Sequence, residues 1–220
     1  MSLLCLLVPE PELQAGMAPP GQWLTPTEAA RLQSLGTEAR RRTFLAGRWL
    51  ARQAVQQWLG TDGLPALTVA GSGACHVAGA GGVFVSISHS AGHVACAVAA
   101  VPVGVDVEHL ARPRDHLALA GAVHSAAQRE QLAALAPAAR AEPFLRAWTI
   151  KEAWLKAREQ GLDFALMRSL DFDDDPQGDV AVATLGGLVL AVAGDPQLPP
   201  RIEGPTNAAW RRCRTRRTPT

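Results

Sequence analysis

The stretch VFVSISHSAGHVACAVAAVPVGVDVE, residues 83–108, decides the fold of this chain. Two apolar runs flank a turn at residues 90–93, a pattern typical of two antiparallel strands joined by a hairpin. Pro102 ends the second run, and residues 104–108 are predicted to form another short strand. Frequent hairpins favour an α+β fold over a doubly wound parallel sheet.

The flanking sequence predicts the remaining elements. A capping-box pattern, Thr25 with Glu28, starts a short helix, and a long helix follows over residues 37–59. A helix is expected over residues 125–135 and a second long one over residues 144–160. Strands are predicted at residues 3–8, 67–70, 169–172, 180–184 and 188–192.

These elements divide the chain into two parts of similar content. Each part holds about one long helix and three strands, so we expect two similar α/β halves, residues 1–103 and 104–220. Residues from about 200 onward show no periodicity. Their arginine run, residues 211–217, is expected to be a solvated tail rather than a binding site for a phosphate-rich polymer.

Composition excludes several classes of protein. The net charge of +1 over 220 residues gives no overall field that would attract nucleic acid. The four cysteines form no CxxC motif, which excludes zinc-ribbon and thioredoxin-like sites and suggests a reducing compartment. No apolar run is long enough for a signal peptide or a membrane span. We therefore expect a cytoplasmic protein that binds neither nucleic acid nor a membrane.

Asp106 and Glu108 form the first candidate site. Alternate residues of a strand point to the same side, so the two carboxylates lie together while Val105 and Val107 face the core. Such hard oxygen ligands suit Mg²⁺, particularly beside phosphate oxygens. A solvated acidic edge strand would show the same pattern, so the motif alone leaves both interpretations open.

The predicted helix over residues 144–160 carries the second candidate site. Glu152 and Lys156 lie on one face, with Lys151 about 100° around the helix. Glu152 is a candidate third metal ligand, and Lys156 is a candidate partner for a proton or a phosphate. A surface ion pair is the simpler alternative. However, the chain has 19 arginines and only these two lysines, and arginine does not replace a compact ammonium group.

Two further groups are candidates for binding an anion. His89 and Ser88 lie at a strand end and can bind phosphate, although His89 also continues an apolar row and can simply cap the core. The long helix carries arginines that either clamp a phosphate or are solvated. A shared face is predicted for Arg41, Arg48 and Arg52, with Arg40 nearby.

The glycine-rich stretch over residues 71–82 does not fit a nucleotide-binding loop. It lacks the third glycine of the dinucleotide motif and leads into a strand rather than a helix. The sequence also contains no GK[ST] loop and no GxSxG nucleophile elbow.

The order of three motifs, SISHS, then GVDVE, then WxxKEAxxK, resembles that of the 4′-phosphopantetheinyl transferases of the surfactin-synthetase type. The resemblance covers roughly residues 40–160 and implies a pseudo-twofold α+β monomer with the active site between its halves. It implies Mg²⁺-dependent transfer of 4′-phosphopantetheine from coenzyme A to a serine of an acyl, peptidyl or polyketide carrier protein. Adenosine 3′,5′-bisphosphate would be released. Fatty acid, polyketide and nonribosomal peptide pathways all remain open.

The resemblance also assigns roles to individual residues. Asp106, Glu108 and Glu152 resemble the Mg²⁺ ligands, and Glu152 or Lys156 resembles the catalytic base. The implied coenzyme A contacts are Arg40, Arg41, Arg48, Ser88, His89, Lys151 and Lys156.

Two alternatives remain open, and one departure from the family pattern supports the first of them. The family usually carries Gly-Lys-Pro shortly before the histidine, whereas this chain has Gly73, Ala74, Cys75 and His76 in that region. A degenerate homologue would bind coenzyme A or a carrier without transfer. A Mg²⁺-dependent phosphohydrolase that cleaves nucleotide pyrophosphates would use the same carboxylates without a carrier.

Overall fold

The computed structural model describes residues 2–70, 74–111, 113–194, 201–203 and 208–217. The strands are β1 Ser2–Pro9, β2 Leu67–Val69, β3 Cys75–Val77, β4 Phe84–Ser90, β5 His93–Ala99, β6 Gly104–His109, β7 Leu170–Asp174, β8 Val180–Leu185, β9 Leu188–Ala193, β10 Arg201–Glu203 and β11 Arg211–Arg217. The α-helices are α1 Glu10–Gly16, α2 Pro26–Ser34, α3 Glu38–Leu59, α4 His116–Val123, α5 Ala126–Ala133, α6 Ala141–Lys156 and α7 Phe164–Arg168.

The strands form two sheets. The first has the order β10-β1-β5-β4-β3-β2, and the second has the order β6-β9-β8-β11-β7. Helix α3 packs on the first sheet and helix α6 on the second. The fold is therefore α+β with two similar α/β halves, as the sequence predicts.

Alternation along β5 shows how the layers pack. Val94, Cys96 and Val98 pack in the core beneath α3, whereas the residues between them belong to the core shared by the two sheets. Those intervening residues are Ala95, Ala97 and Ala99. A third core lies between the second sheet and α6. The layers therefore run helix, sheet, sheet, helix.

Local sequence explains the ends of the elements that frame the site. Thr37 caps α3 by accepting a hydrogen bond from Arg40 N, and Gly60 ends the helix at φ +64°. Ala91 and Gly92 form the β4–β5 turn with φ +45° and +75°, the positive pair that a tight hairpin requires.

The arginine run over residues 211–217 is not a solvated tail. It forms β11 between β8 and β7, with Cys213 fully buried. Arg214 Nε lies 2.6 Å from Asp175 Oδ2, and Arg216 pairs with Asp173. Opposite charges on neighbouring strands stabilise their pairing. The expectation of an irregular tail is therefore wrong for this segment.

Residues 201–203 also depart from the expected irregular tail. They form β10, which pairs in parallel with β1 of the first sheet, although they lie in the predicted C-terminal half. Helix α6 begins at Ala141 and ends at Lys156, earlier than expected at both ends. Across the described ranges, every helix is too short or too polar to cross a membrane.

Candidate active site

A cavity of about 690 Å³ lies between α3, β4 and the end of α6. Its size is within the range of small-ligand sites, and both halves contribute to its walls. The charged lining residues and the histidine are Arg31, Arg40, Arg48, His89, Glu152, Lys156 and Glu159. Apolar walls are formed by Leu35, Phe44, Ile87 and Leu162. The excess of cations suits an anionic ligand with an apolar portion.

The face of α3 toward the cavity carries Arg40, Phe44 and Arg48 at intervals of four residues. Arg48 Nη1 donates a hydrogen bond to Cys75 Sγ at 3.0 Å, which holds the guanidinium at the cavity wall. Arg41 is not among the described lining residues, and its Nε donates to Leu35 O at 3.0 Å. Of the three arginines predicted to contact coenzyme A, Arg40 and Arg48 therefore line the cavity and Arg41 does not.

Arg52, the third arginine of the predicted face, is buried and structural. Its guanidinium binds both carboxylate oxygens of Glu28 and lies 4.9 Å from the Trp23 ring centroid. Glu28 Oε1 also lies 3.8 Å from Arg48 Nε. The buried Glu28 carboxylate thus ties α2 to α3 beside the cavity.

Ser86, Ser88 and Ser90, which we call the serine row, project from β4 toward β6. Ser86 Oγ accepts a hydrogen bond from Val105 N at 3.0 Å, and Ser88 Oγ accepts one from Val107 N at 3.3 Å. Because β6 is an edge strand, its own sheet leaves these amides unpaired. The serine row therefore joins the two sheets.

Asp106 is held by groups from both halves. Its Oδ1 accepts hydrogen bonds from Ser88 Oγ at 2.8 Å and from Lys156 Nζ at 2.7 Å. The residue is 6% exposed, and Oδ2 has no hydrogen-bond partner within the described ranges. Gly104 permits this placement, because a Cβ there would overlap the Ala153 carbonyl oxygen of α6.

The other two candidate metal ligands lie beside Asp106. Glu108 Oε2 accepts hydrogen bonds from Ser90 Oγ at 3.1 Å and from Arg114 Nη2 at 2.9 Å. Burial, and then the charge of Asp106, raises the pKa of Glu152 to about 7, and Glu108 adds to the shift. Asp106 and Glu108 are therefore both close enough to Glu152 to disfavour its charged form.

This arrangement fits a divalent cation, although it is not a compact metal cage as it stands. Within the described residues, no three His, Cys, Asp or Glu side chains are close enough to hold a metal ion. Asp106 nevertheless keeps a buried oxygen without a partner, and a cation would relieve the repulsion that raises the pKa of Glu152. Carboxylate oxygens beside an anion-binding cavity are the ligands that Mg²⁺ prefers.

His89 lines the cavity at the end of β4. Burial, and then the positive charge of Lys156, lowers the pKa of His89 below its usual value. A bound anion would act in the opposite direction and favour the protonated imidazole.

Lys151 is not among the described residues that line the cavity, and its side chain is fully buried. Its Nζ donates to Val123 O at 2.9 Å, to Gln128 Oε1 at 2.7 Å and to Met167 O at 2.7 Å. All three N–H groups are used inside the C-terminal half. From this position Lys151 does not make the expected contact with a coenzyme A phosphate.

Several residues of the site were not predicted. Of the serine row only Ser88 was a predicted site residue, and Ser86 and Ser90 share its strand face through their i, i+2, i+4 spacing. Arg114 lies in a segment without clear periodicity, and the Glu28–Arg52 pair joins residues 24 positions apart. No local pattern points to either of them.

A cavity with an excess of cationic side chains, lined by the lysine that pairs with Asp106, suits a polyanionic ligand. Two protein-family models match the sequence. The family model described as the 4′-phosphopantetheinyl transferase superfamily matches residues 102–193. The family model described as the 4′-phosphopantetheinyl transferase N-terminal domain matches residues 28–99. The chain belongs to this superfamily and is a 4′-phosphopantetheinyl transferase. No curated protein matches it.

Proposed function

We propose that the protein transfers 4′-phosphopantetheine from coenzyme A to a serine of an apo carrier protein and releases adenosine 3′,5′-bisphosphate. The observation that carries this proposal is the distribution of charged side chains between two walls of the cavity. Arg40, Arg48 and His89 line it on the α3 and β4 side, while Glu152 and Lys156 line it from α6. One wall thus suits a terminal phosphate and the other a reacting pyrophosphate.

The chemistry of coenzyme A matches this division. Arg40, Arg48 and His89 would bind the 3′-phosphate, and Phe44 and Leu35 offer apolar surface for the adenine. Cys75 lines the cavity near the position where the family usually has its Gly-Lys-Pro lysine. Its bond from Arg48 supports the idea that this arginine supplies the missing positive charge.

Asp106, Glu108 and Glu152 would hold Mg²⁺, and the ion would supply charge neutralisation and Lewis-acid polarisation at the pyrophosphate. Glu152 lines the cavity and is positioned to accept the proton of the attacking carrier serine. As the serine O–P bond forms and the pyrophosphate P–O bond breaks, Lys156 would stabilise the charge on the departing bisphosphate. Its contact with Asp106 holds the ammonium in place for this role.

We further propose that the protein is of the surfactin-synthetase type and acts as a monomer. Two similar halves already enclose the cavity within one chain, so a second copy is not needed to complete it. Light scattering coupled to gel filtration tests this directly, and an active dimer with an inactive monomer would contradict it.

Intact-protein mass spectrometry tests the proposed reaction. The protein is mixed with coenzyme A, Mg²⁺ and a panel of apo carriers, and we expect one carrier to gain the mass of one phosphopantetheine. Prior addition of chelator should prevent the gain. Carrier-independent release of the bisphosphate would instead indicate a pyrophosphate hydrolase. Coenzyme A binding without modification of any carrier would indicate a degenerate homologue.

A further inference from the structure

The Ser88 hydroxyl makes two different hydrogen bonds. It accepts one from Val107 N at 3.3 Å and donates its proton to Asp106 Oδ1 at 2.8 Å. A serine hydroxyl has one proton to donate. In this arrangement Ser88 therefore has no proton left for a coenzyme A phosphate.

The two oxygens of Asp106 are treated unequally. Oδ1 accepts from both Ser88 and Lys156, whereas Oδ2 is buried and has no partner within the described ranges. A buried carboxylate oxygen without a partner is costly, and a bound cation would remove that cost. The Ser88 bond helps determine which oxygen is left for that ligand.

We propose that Ser88 is a positioning residue for Asp106, and that its hydroxyl fixes the carboxylate so that Oδ2 is presented to a divalent cation. This inference rests on the proposed function for the identity of the cation as Mg²⁺. It replaces the sequence-based expectation that Ser88 binds coenzyme A phosphate.

Ser86 provides a matched control. Ser86 and Ser88 are both 7% exposed, lie two positions apart on β4, and accept a hydrogen bond from an amide of β6. They differ in the bond that Ser88 also donates to Asp106. Substitution of Ser86 removes one bond between the sheets, whereas substitution of Ser88 removes two and releases the Asp106 carboxylate.

The first measurement is Mn²⁺ binding to the free protein by electron paramagnetic resonance, without coenzyme A or carrier. We expect Ser88→Ala to weaken Mn²⁺ binding by about 10- to 100-fold, as loss of a hydrogen bond that orients a metal ligand does. Ser86→Ala should bind Mn²⁺ like the wild type, and urea unfolding of both variants shows whether each is folded under the conditions of the binding measurement. Ser88→Thr keeps the hydroxyl and should bind Mn²⁺ more tightly than Ser88→Ala.

Equal Mn²⁺ affinity in Ser88→Ala and the wild type would overturn the inference, and so would a wild type that binds no Mn²⁺. The second measurement compares coenzyme A with dephospho-coenzyme A by calorimetry in the presence of chelator. We expect Ser88→Ala to bind each as the wild type does. Weaker binding of coenzyme A alone would show that Ser88 serves the 3′-phosphate, which contradicts the proposal.

The carrier assay keeps the two proposals distinguishable. If Ser88→Ala loses Mn²⁺ affinity while the wild type modifies no carrier, the positioning role is supported and the proposed reaction is not. If carriers are modified and Mn²⁺ binding is the same in Ser88→Ala, the reaction stands and the positioning role is refuted.

Discussion

Lys156 Nζ lies 2.7 Å from Asp106 Oδ1, although the two residues are 50 positions apart and belong to α6 and β6. Lys156 Nζ also donates to Val105 O at 3.1 Å, so the lysine binds both the backbone and a side chain of the strand. Because Glu152 precedes Lys156 by one helical turn, this contact also sets the position of Glu152 relative to Asp106.

Asp106→Asn preserves the shape of the side chain but removes its charge. We expect carrier modification to slow by at least about a hundredfold, a cost typical of losing a positioned electrostatic group at the reacting atoms. Mass spectrometry of the carrier measures the rate. Asp173→Asn, which changes an exposed carboxylate paired with Arg216, should act like the wild type. A near-normal rate in Asp106→Asn would contradict the assignment of this carboxylate as a metal ligand.

Lys151→Met should lower stability rather than coenzyme A affinity. The change removes an ammonium that ties Val123, Gln128 and Met167 together, and loss of such a buried polar group costs about 3 kcal/mol. Urea unfolding measures the loss, and calorimetry measures the affinity of the folded variant. Lys156→Gln is the contrasting change and should weaken coenzyme A binding. A stable Lys151→Met protein with weakened binding would support the original sequence-based role.

Arg48→Gln and Arg41→Gln form a matched pair on α3. Arg48 lines the cavity, so its loss should weaken coenzyme A binding by about tenfold or more, equivalent to one charged hydrogen bond. Arg41 bonds to the Leu35 carbonyl instead, and its loss should leave the dissociation constant nearly unchanged. Calorimetric titration measures the dissociation constant of coenzyme A for each variant. Equal effects of the two changes would mean that the wrong face of α3 has been assigned to the cavity.

His124 should make stability depend on pH below neutrality. Burial, and then the charge of Lys151, lowers the pKa of His124 to about 4 from its usual 6.5. Below pH 6.5 the unfolded chain takes up a proton that the folded protein does not. The contribution of His124 to stability is therefore complete above pH 6.5 and falls by about 3 kcal/mol as the pH drops toward 4.

His124→Leu should flatten this dependence, as measured by urea unfolding at a series of pH values between 4 and 7.5. His93→Gln, at an exposed hairpin turn, should retain the wild-type dependence. If His124→Leu also retains the wild-type dependence of stability on pH, burial of His124 is not the source of that dependence.

The sequence predicted the elements that have an apolar face and recognisable ends. The β4–β5 hairpin and the long helix α3 are both confirmed. Strand β11 could not be predicted this way, because an arginine-rich segment has no apolar alternation. It is stabilised by partners distant in sequence, such as Asp175, 39 residues from Arg214.

Motif order brought Asp106, Glu152 and Lys156 together correctly, because each motif fixes its own residues on one strand or helix face. Motif order did not predict correctly where the side chains of Lys151 and Arg41 lie. A rotation of about 100° per residue moves a neighbouring helical side chain from the cavity wall into the core or onto another surface. Only the packing of the helix against its sheet decides between these positions.

Strand β11 has a consequence for how the chain is made. It lies between β8 and β7, both of which leave the ribosome before it, and β7 reaches the rest of its sheet through β11. Until residues 211–217 emerge, the growing chain exposes unpaired edges of β7 and β8, which invite pairing with other chains. The second sheet, which carries Asp106 and Glu108 on β6, therefore reaches its complete form only after residues 211–217 have been synthesised.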